Sequence, residues 1–391
     1  MPHLALALLL GLAPIQTPIA ELPFELVGNH IYLKGEAENR PISILLDSGA
    51  GMSVLDSGIA ERWNIPRNKS GLPVTGAGAK PIQAQMLQGF KVRFAGTKID
   101  QPIIIGIPLE QLAYLEGRPL EAVVGNEFFQ KYVVNIDYAN RKVRLFNPEG
   151  YTYTGKGKEL SIRLVGNHPH IDAEIEVPEI GKLPVEAVID TGAGSSVNLT
   201  GRLMEAQKLD GHFPKSPIAP SGAGVGGATT GRPGRLGSLS FGGFKLDRPV
   251  ASMELSNGGA LGTGAAYDIL IGGDVMRRFD VTFDYSRKKL YLQANEEFIK
   301  PFPGDQTGFL MTAEGKNLRT YRVMWVSDGT PAKEAGIQVG DVLVQVDGKP
   351  AETYELYQLK KLFREPDKQW KLELDRNGER KKINLKGRSI V

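Results

Sequence analysis

Two aspartates stand where their chemistry could be shared. Asp47 opens Asp47-Ser48-Gly49-Ala50-Gly51 and Asp190 opens Asp190-Thr191-Gly192-Ala193-Gly194, each directly after an apolar run, Ile44-Leu45-Leu46 or Ala187-Val188-Ile189. One such triplet alone reads as a turn, since Asp and Gly are turn formers. Two copies at equivalent points of a repeated unit read differently, because a pseudo-twofold axis brings equivalent strand ends to one interface. Two facing carboxylates cannot both ionise cheaply, so they share one proton and titrate as a pair. The ionised member can take a proton from a bound water while its protonated partner donates to the oxyanion forming on an attacked carbonyl. That is hydrolysis without a metal or organic cofactor, and the shared proton leaves neither aspartate with a fixed role.

The repeated unit is visible in the letters. Leu26-Val27-Gly28-Asn29-His30 recurs as Leu164-Val165-Gly166-Asn167-His168, ahead of the two aspartate motifs. Each copy closes with an apolar strand running into glycine, Val123-Val124-Gly125 and Leu270-Ile271-Gly272, and then with Asp137-Tyr138 and Asp284-Tyr285 at the same interval. Short Val, Ile and Leu runs punctuated by Gly, Pro and Asn predict two mainly β lobes, over 21–150 and 151–300, parting near Pro148 to Gly157. Short helices are expected at Ile59 to Trp63, Glu127 to Lys131, Leu203 to Lys208 and Val275 to Arg278.

The apolar-Asp-[Ser/Thr]-Gly-Ala motif with its later apolar-apolar-Gly strand resembles the retropepsin-like and pepsin-like aspartic proteases in a duplicated, single-chain form, over roughly residues 24 to 296. The resemblance implies a bilobed acid-protease β-barrel fold with Asp47 and Asp190 as the dyad at the lobe interface. It also implies that Ser48 and Thr191 cross-link the two loops by hydroxyl hydrogen bonds beneath it. Gly49 and Gly192 are expected to let the backbone turn and approach the substrate. Gly76-Ala77-Gly78 and Gly222-Ala223-Gly224 lie where the family has flaps that close over a bound peptide. Neither carries the flap tyrosine of pepsin-type enzymes, which matches the two glycine-rich flaps of a retropepsin dimer. Ala50 and Ala193 replace a hydroxyl residue that in pepsins donates to the carboxylate; losing that donor raises a carboxyl pKa, so activity is expected at milder acidity.

Other chemistries fare worse. The 47 basic and 44 acidic residues nearly cancel to +3, no field for nucleic acid. The absence of cysteine removes thiol nucleophiles and thiolate metal sites. His3, His30, His168, His170 and His212 form no His-Glu-x-x-His run, so a zinc peptidase is not indicated. Gly222 to Gly227 fits a dinucleotide fingerprint, yet Gly231, Pro233, Gly234 and Gly237 follow where a helix is required. The apolar run Leu4 to Ala13, with Pro14 and Pro18 after it, is too short to span a bilayer and is placed like a secretory h-region. Residues 1–20 are therefore expected to be a signal peptide, with export to a periplasmic or secreted location; an uncleaved membrane anchor is the alternative.

After Pro301-Phe302-Pro303 the chain becomes more charged. Residues 301–391 resemble a bacterial-type PDZ domain, an α+β module, through Gly329-Thr330-Pro331-Ala332, Val339-Gly340-Asp341-Val342-Leu343 and Val346-Asp347-Gly348, with a helix around Thr353 to Phe363 and a hairpin at Asn377-Gly378. Such domains bind peptide C-termini by strand addition beside a loop of backbone N–H groups. Gly308-Phe309-Leu310 is the corresponding loop, and a docked lid or spacer is the other reading. The whole reads as an endopeptidase for polypeptide substrates, its active site complete in a monomer, with a module recruiting substrate or partner; the alternative is a catalytically silent peptide-binding protein.

Overall fold

A computed structural model describes residues 16–213 and 216–391, and strands dominate it. The run Leu4 to Ala13, and with it most of the expected signal peptide, lies outside the described residues. Among the described residues no helix is long and apolar enough to cross a membrane.

Each lobe is built to deliver one aspartate. In the first, the strands His30–Ala37 and Arg40–Leu46 form a hairpin around Glu38 and Asn39, both at positive φ. Arg40–Leu46 then runs parallel to Ala122–Val124, and the Asp47 N–H closes that ladder on the Val124 carbonyl at 3.0 Å. The second lobe repeats the device. His168–Val177 and Gly181–Ile189 pair, Gly181–Ile189 runs parallel to Ile269–Ile271, and the Asp190 N–H bonds the Ile271 carbonyl at 2.9 Å. Each aspartate thus sits at the carboxyl end of a strand buried on both faces, which is why its run is continuously apolar.

The lobes are joined by one sheet. Val133–Asp137 pairs antiparallel with Phe279–Asp284, with Ile136 opposite Val281, and Lys142–Phe146, Lys289–Ala294, Ala20–Val27 and Lys158–Ser161 flank that centre. One large apolar core runs through both lobes and this sheet, with a smaller cluster beside it in each lobe; the C-terminal domain has its own, around Trp370, Leu359 and Tyr321.

The expected β-barrels are not closed. Among the described residues the sheets end at Arg67–Val74 in the first lobe and at Ala219–Gly224 in the second, each paired on one side only. These end strands form hairpins with Ile82–Leu87 and with Gly227–Arg235 and have no second partner strand among the described residues to seal a barrel.

The expected short helices are present within about two residues: Ser57–Arg62, Asn126–Lys131, Gly201–Ala206 and Gly273–Met276. Asp56 and Thr200 cap two of them, accepting from the Ile59 and Leu203 N–H groups. In the C-terminal domain the helix is Leu356–Leu362, with Leu356, Leu359 and Phe363 buried, and Asn377-Gly378 turns the hairpin of Gln369–Arg376 and Glu379–Lys386.

Candidate active site

Ser48 and Thr191 are fully buried and bonded to each other's loops. The Ser48 N–H donates to Thr191 Oγ1 at 2.9 Å and the Thr191 N–H to Ser48 Oγ at 3.1 Å. Each hydroxyl then donates onward across the seam, Ser48 Oγ to the Ile189 carbonyl at 2.9 Å and Thr191 Oγ1 to the Leu46 carbonyl at 3.0 Å. Four bonds in near-twofold symmetry fix the loops with no buried donor left over.

Above them the carboxyl groups of Asp47 and Asp190 converge. Each accepts from the glycine two residues on, Gly49 N to Asp47 Oδ1 and Gly192 N to Asp190 Oδ1, both at 2.8 Å. The Asp47 carboxyl is held well above the ordinary 3.8, first by burial, then by the charge of Asp190 and a hydrogen bond between the two side chains. The closeness of the pair also accounts for the glycines. A Cβ on Gly49 would lie 2.3 Å from Asp190 Cγ, and one on Gly192 would lie 2.1 Å from Asp47 Cγ. The expectation was that substrate approach excluded a side chain there; the opposing carboxyl already does so. Beneath the pair Tyr285 is buried and stacked on Phe129, and burial together with the two aspartates pushes its hydroxyl up.

The glycine-rich segments also come together. Gly76-Ala77-Gly78 lies in the turn of the first-lobe hairpin, whereas Gly222-Ala223-Gly224 lies on a strand and the tip of the second hairpin is Val225-Gly226. The tips are bonded to each other, Gly78 N to the Val225 carbonyl at 2.9 Å and Lys80 N to the Gly226 carbonyl at 3.2 Å. A Cβ on Gly78 would meet the Gly226 backbone at 2.2 Å. Val225 packs on the same apolar cluster as Ala50, Val74 and Ile82, and Ala193 on one with Leu261 and Tyr267, so apolar walls flank both aspartates.

A further set of residues went unassigned in the sequence although its signal was there, in the pentapeptide repeated letter for letter. Gly28-Asn29 and Gly166-Asn167 are two-residue hairpin turns with both residues at positive φ. Each asparagine crosses the seam, Asn29 Nδ2 to the Gly194 carbonyl at 2.8 Å and Asn167 Nδ2 to the Gly51 carbonyl at 3.1 Å, so each lobe holds the far end of the other lobe's aspartate loop. His30 and His168 stand beside Gly194 and Gly51. His30 Nδ1 lies 3.1 Å from Glu116 Oε2, a charge contact rather than an aligned hydrogen bond. Burial alone would lower the imidazole, but Glu116 outweighs it and holds His30 above its ordinary value.

In the C-terminal domain Phe309 and Leu310 lie opposite Val326 and Trp325, and the Gly308 N–H is bonded to Asp305. Among the described residues no group of three His, Asp or Glu side chains is placed to hold a metal ion.

The aspartyl protease family matches residues 175–275, which contain Asp190 and its loop, and a PDZ domain family matches residues 322–376. The chain carries an aspartyl-protease domain and a PDZ domain. Among solved structures the chain is similar to a photosystem II D1 C-terminal processing protease, with 26% identity over 23% of this chain and 25% of that one and a TM-score of 0.21. It is also similar to the PDZ domain of HtrA3 bound to a phage-derived ligand, with 21% identity over 22% of this chain and 85% of that one and a TM-score of 0.20. The match to the processing protease thus spans about a quarter of that protein's length. Comparison with curated proteins finds no match. The aspartyl-protease match lies in the second lobe; the first is tied to it by the repeat and by the mirrored geometry around Asp47.

Proposed function

We propose that the chain is an aspartic endopeptidase in which Asp47 and Asp190 activate one water against a peptide carbonyl. The observation that carries this is the convergence of two carboxyl groups, one held well above its ordinary range first by burial and then by the other, on loops cross-linked by Ser48 and Thr191. The ionised carboxylate removes a proton from water as oxygen attacks the carbonyl carbon. The protonated partner donates to the oxyanion, and the tetrahedral species collapses with proton transfer to the leaving amine. The hairpins tipped by Gly78 and Gly226 would part to admit an extended peptide and close again to exclude water. The apolar walls around Ala50 and Ala193 suit apolar side chains on either side of the scissile bond.

The test is competition. A peptide isostere carrying a hydroxyl at the scissile position mimics the tetrahedral species and should inhibit peptide cleavage competitively, binding far more tightly than the parent peptide. Equal affinity for isostere and parent would leave the silent peptide-binding protein as the better reading.

A further inference from the structure

A PDZ groove lies between the edge strand that follows the carboxylate-binding loop and a neighbouring helix; a peptide joins the strand, and its terminal carboxylate sits on the loop's N–H groups. Here the strand is Phe309–Glu314, at the end of its sheet, and the helix is Leu356–Leu362. Two independent observations bear on what this groove takes.

First, the start of the anion seat is already taken from within. Asp305 Oδ1 accepts from the Thr307 N–H and from Thr307 Oγ1, each at 2.8 Å, and Asp305 Oδ2 accepts from the Gly308 N–H at 3.0 Å. An incoming carboxylate would meet a like charge that already holds the Thr307 and Gly308 N–H groups.

Second, both walls of the groove already have a neighbour, the first-lobe helix Glu110–Glu116 and Gly117 after it. Tyr114 packs against the PDZ core, and Tyr357 packs against the first-lobe cluster that contains Leu109 and Ala113. Lys360 Nζ donates to the Leu115 carbonyl at 2.7 Å, a cation on the last turn of a helix. Gly117 is so close that a Cβ there would lie 2.5 Å from Leu356 Cβ. No helix occupies the equivalent stretch of the second lobe, between Val250–Glu254 and Ile269–Ile271, so this is where the copies diverge.

The contact continues to the aspartates. Glu116, the last residue of that helix, stands against His30, and the His30 ring fills the space over Gly194, where a Cβ would lie 2.8 Å from its Cε1. Asn29, beside His30, holds the Gly194 carbonyl.

We propose that the ligand of this PDZ domain is the chain's own first lobe: the groove holds Glu110–Gly117 in place of a protein C-terminus, and the docked domain fixes Glu116 against His30 and so the loop of Asp190. Lys360, Glu116 and His30 are then positioning residues. Their effect on turnover rests on the endopeptidase reading; the occupancy of the groove does not.

Full-length protein carrying Lys360→Glu, which sets like charge against Glu116, or Gly117→Asn, whose side chain tolerates the positive φ but not the space, separates the two parts. Hydrogen exchange over Glu110–Gly117 and over Asp190–Gly194 should become at least about tenfold faster than in wild type. With Lys360→Arg it should stay at the wild-type rate. In turnover, kcat should fall by about tenfold with KM within about twofold, the split expected of a residue that positions the reacting groups. A fluorescent peptide with an apolar C-terminal residue and a free carboxylate should show no saturable binding to wild type. Micromolar binding of that peptide, or unchanged exchange over Glu110–Gly117 in both variants, overturns the occupancy. Unchanged exchange over Asp190–Gly194 while Glu110–Gly117 responds overturns the coupling. Exchange that responds in a protein that cleaves no peptide upholds the docking and removes the endopeptidase reading alone.

Discussion

Asn29 and Gly194 are joined across the lobe seam by a hydrogen bond of 2.8 Å, and Asn167 and Gly51 repeat the bond from the other side at 3.1 Å. The two are not equal in setting. The Asn29 bond is partly buried, whereas the Asn167 bond is exposed, where water can replace it. Asn29→Ala should therefore destabilise the protein by about 1–2 kcal/mol and Asn167→Ala by about 0.5 kcal/mol or less. Urea unfolding of the two variants reads the difference; equal losses would contradict the unequal burial.

Thr191→Val keeps shape and removes the hydroxyl. It leaves the Ser48 N–H and the Leu46 carbonyl without their partners in a fully buried position. A loss of about 2–4 kcal/mol in chemical denaturation is expected from two unsatisfied groups. Thr191→Ser retains both bonds and should remain within about 1 kcal/mol of wild type.

Two loop glycines in equivalent positions differ in the space around them. At Gly51 the nearest atom to an added Cβ is the Gly166 carbonyl oxygen at 3.6 Å, an ordinary contact, while at Gly194 the Gly28 carbonyl oxygen would be at 2.4 Å. Gly51→Ala should keep peptide cleavage within about threefold, and Gly194→Ala should lower kcat by about a hundredfold by displacing the loop of Asp190. Comparing kcat for the two alanine variants checks this; the reverse order would contradict it.

Stability should depend on pH through the dyad. The folded protein holds the Asp47 proton above the ordinary 3.8, because of burial, Asp190 and the bond between them. A raised folded value means that the contribution is fully present below about 3.8 and fades as pH rises through the folded value. Asp47→Asn cannot ionise and escapes that loss. The melting temperature of Asp47→Asn relative to wild type should rise from acid to neutral pH, and a constant difference across that range would contradict the shared proton. The proposed mechanism uses the same proton, so turnover should persist to milder acidity than in enzymes whose dyad has an extra hydroxyl donor in place of Ala50 and Ala193.

How much of this could be read from the letters depends on whether an element repeats. The aspartate loops, the Ser48 and Thr191 positions and the strands beneath them occur twice in the same order, and two copies single out what one leaves as a turn. The repeated Gly-Asn turns carried as strong a signal; what they lacked was any indication that the Asn29 and Asn167 side chains reach the opposite lobe, which is a tertiary fact. The helix Glu110–Glu116 occurs once, is two turns long and has Leu109 at its N-cap with no side-chain bond, so neither periodicity nor capping marked it. Barrel closure and the meeting of Gly78 with Val225 depend on where hairpins point, and local propensity does not encode that. Asp305, two residues before Thr307 and three before Gly308, has the spacing of an Asp-led turn and could have been recognised as taking those N–H groups itself.

The most direct test is peptide cleavage by purified Asp47→Asn and Asp190→Asn proteins, followed by mass spectrometry and accompanied by circular dichroism to verify the fold. Each substitution removes a carboxyl group from the pair that the proposed mechanism uses as one unit, so cleavage in both should fall by at least about a thousandfold while the fold is kept. Cleavage at the wild-type rate by either folded variant would show that the two carboxyl groups do not act as one catalytic unit.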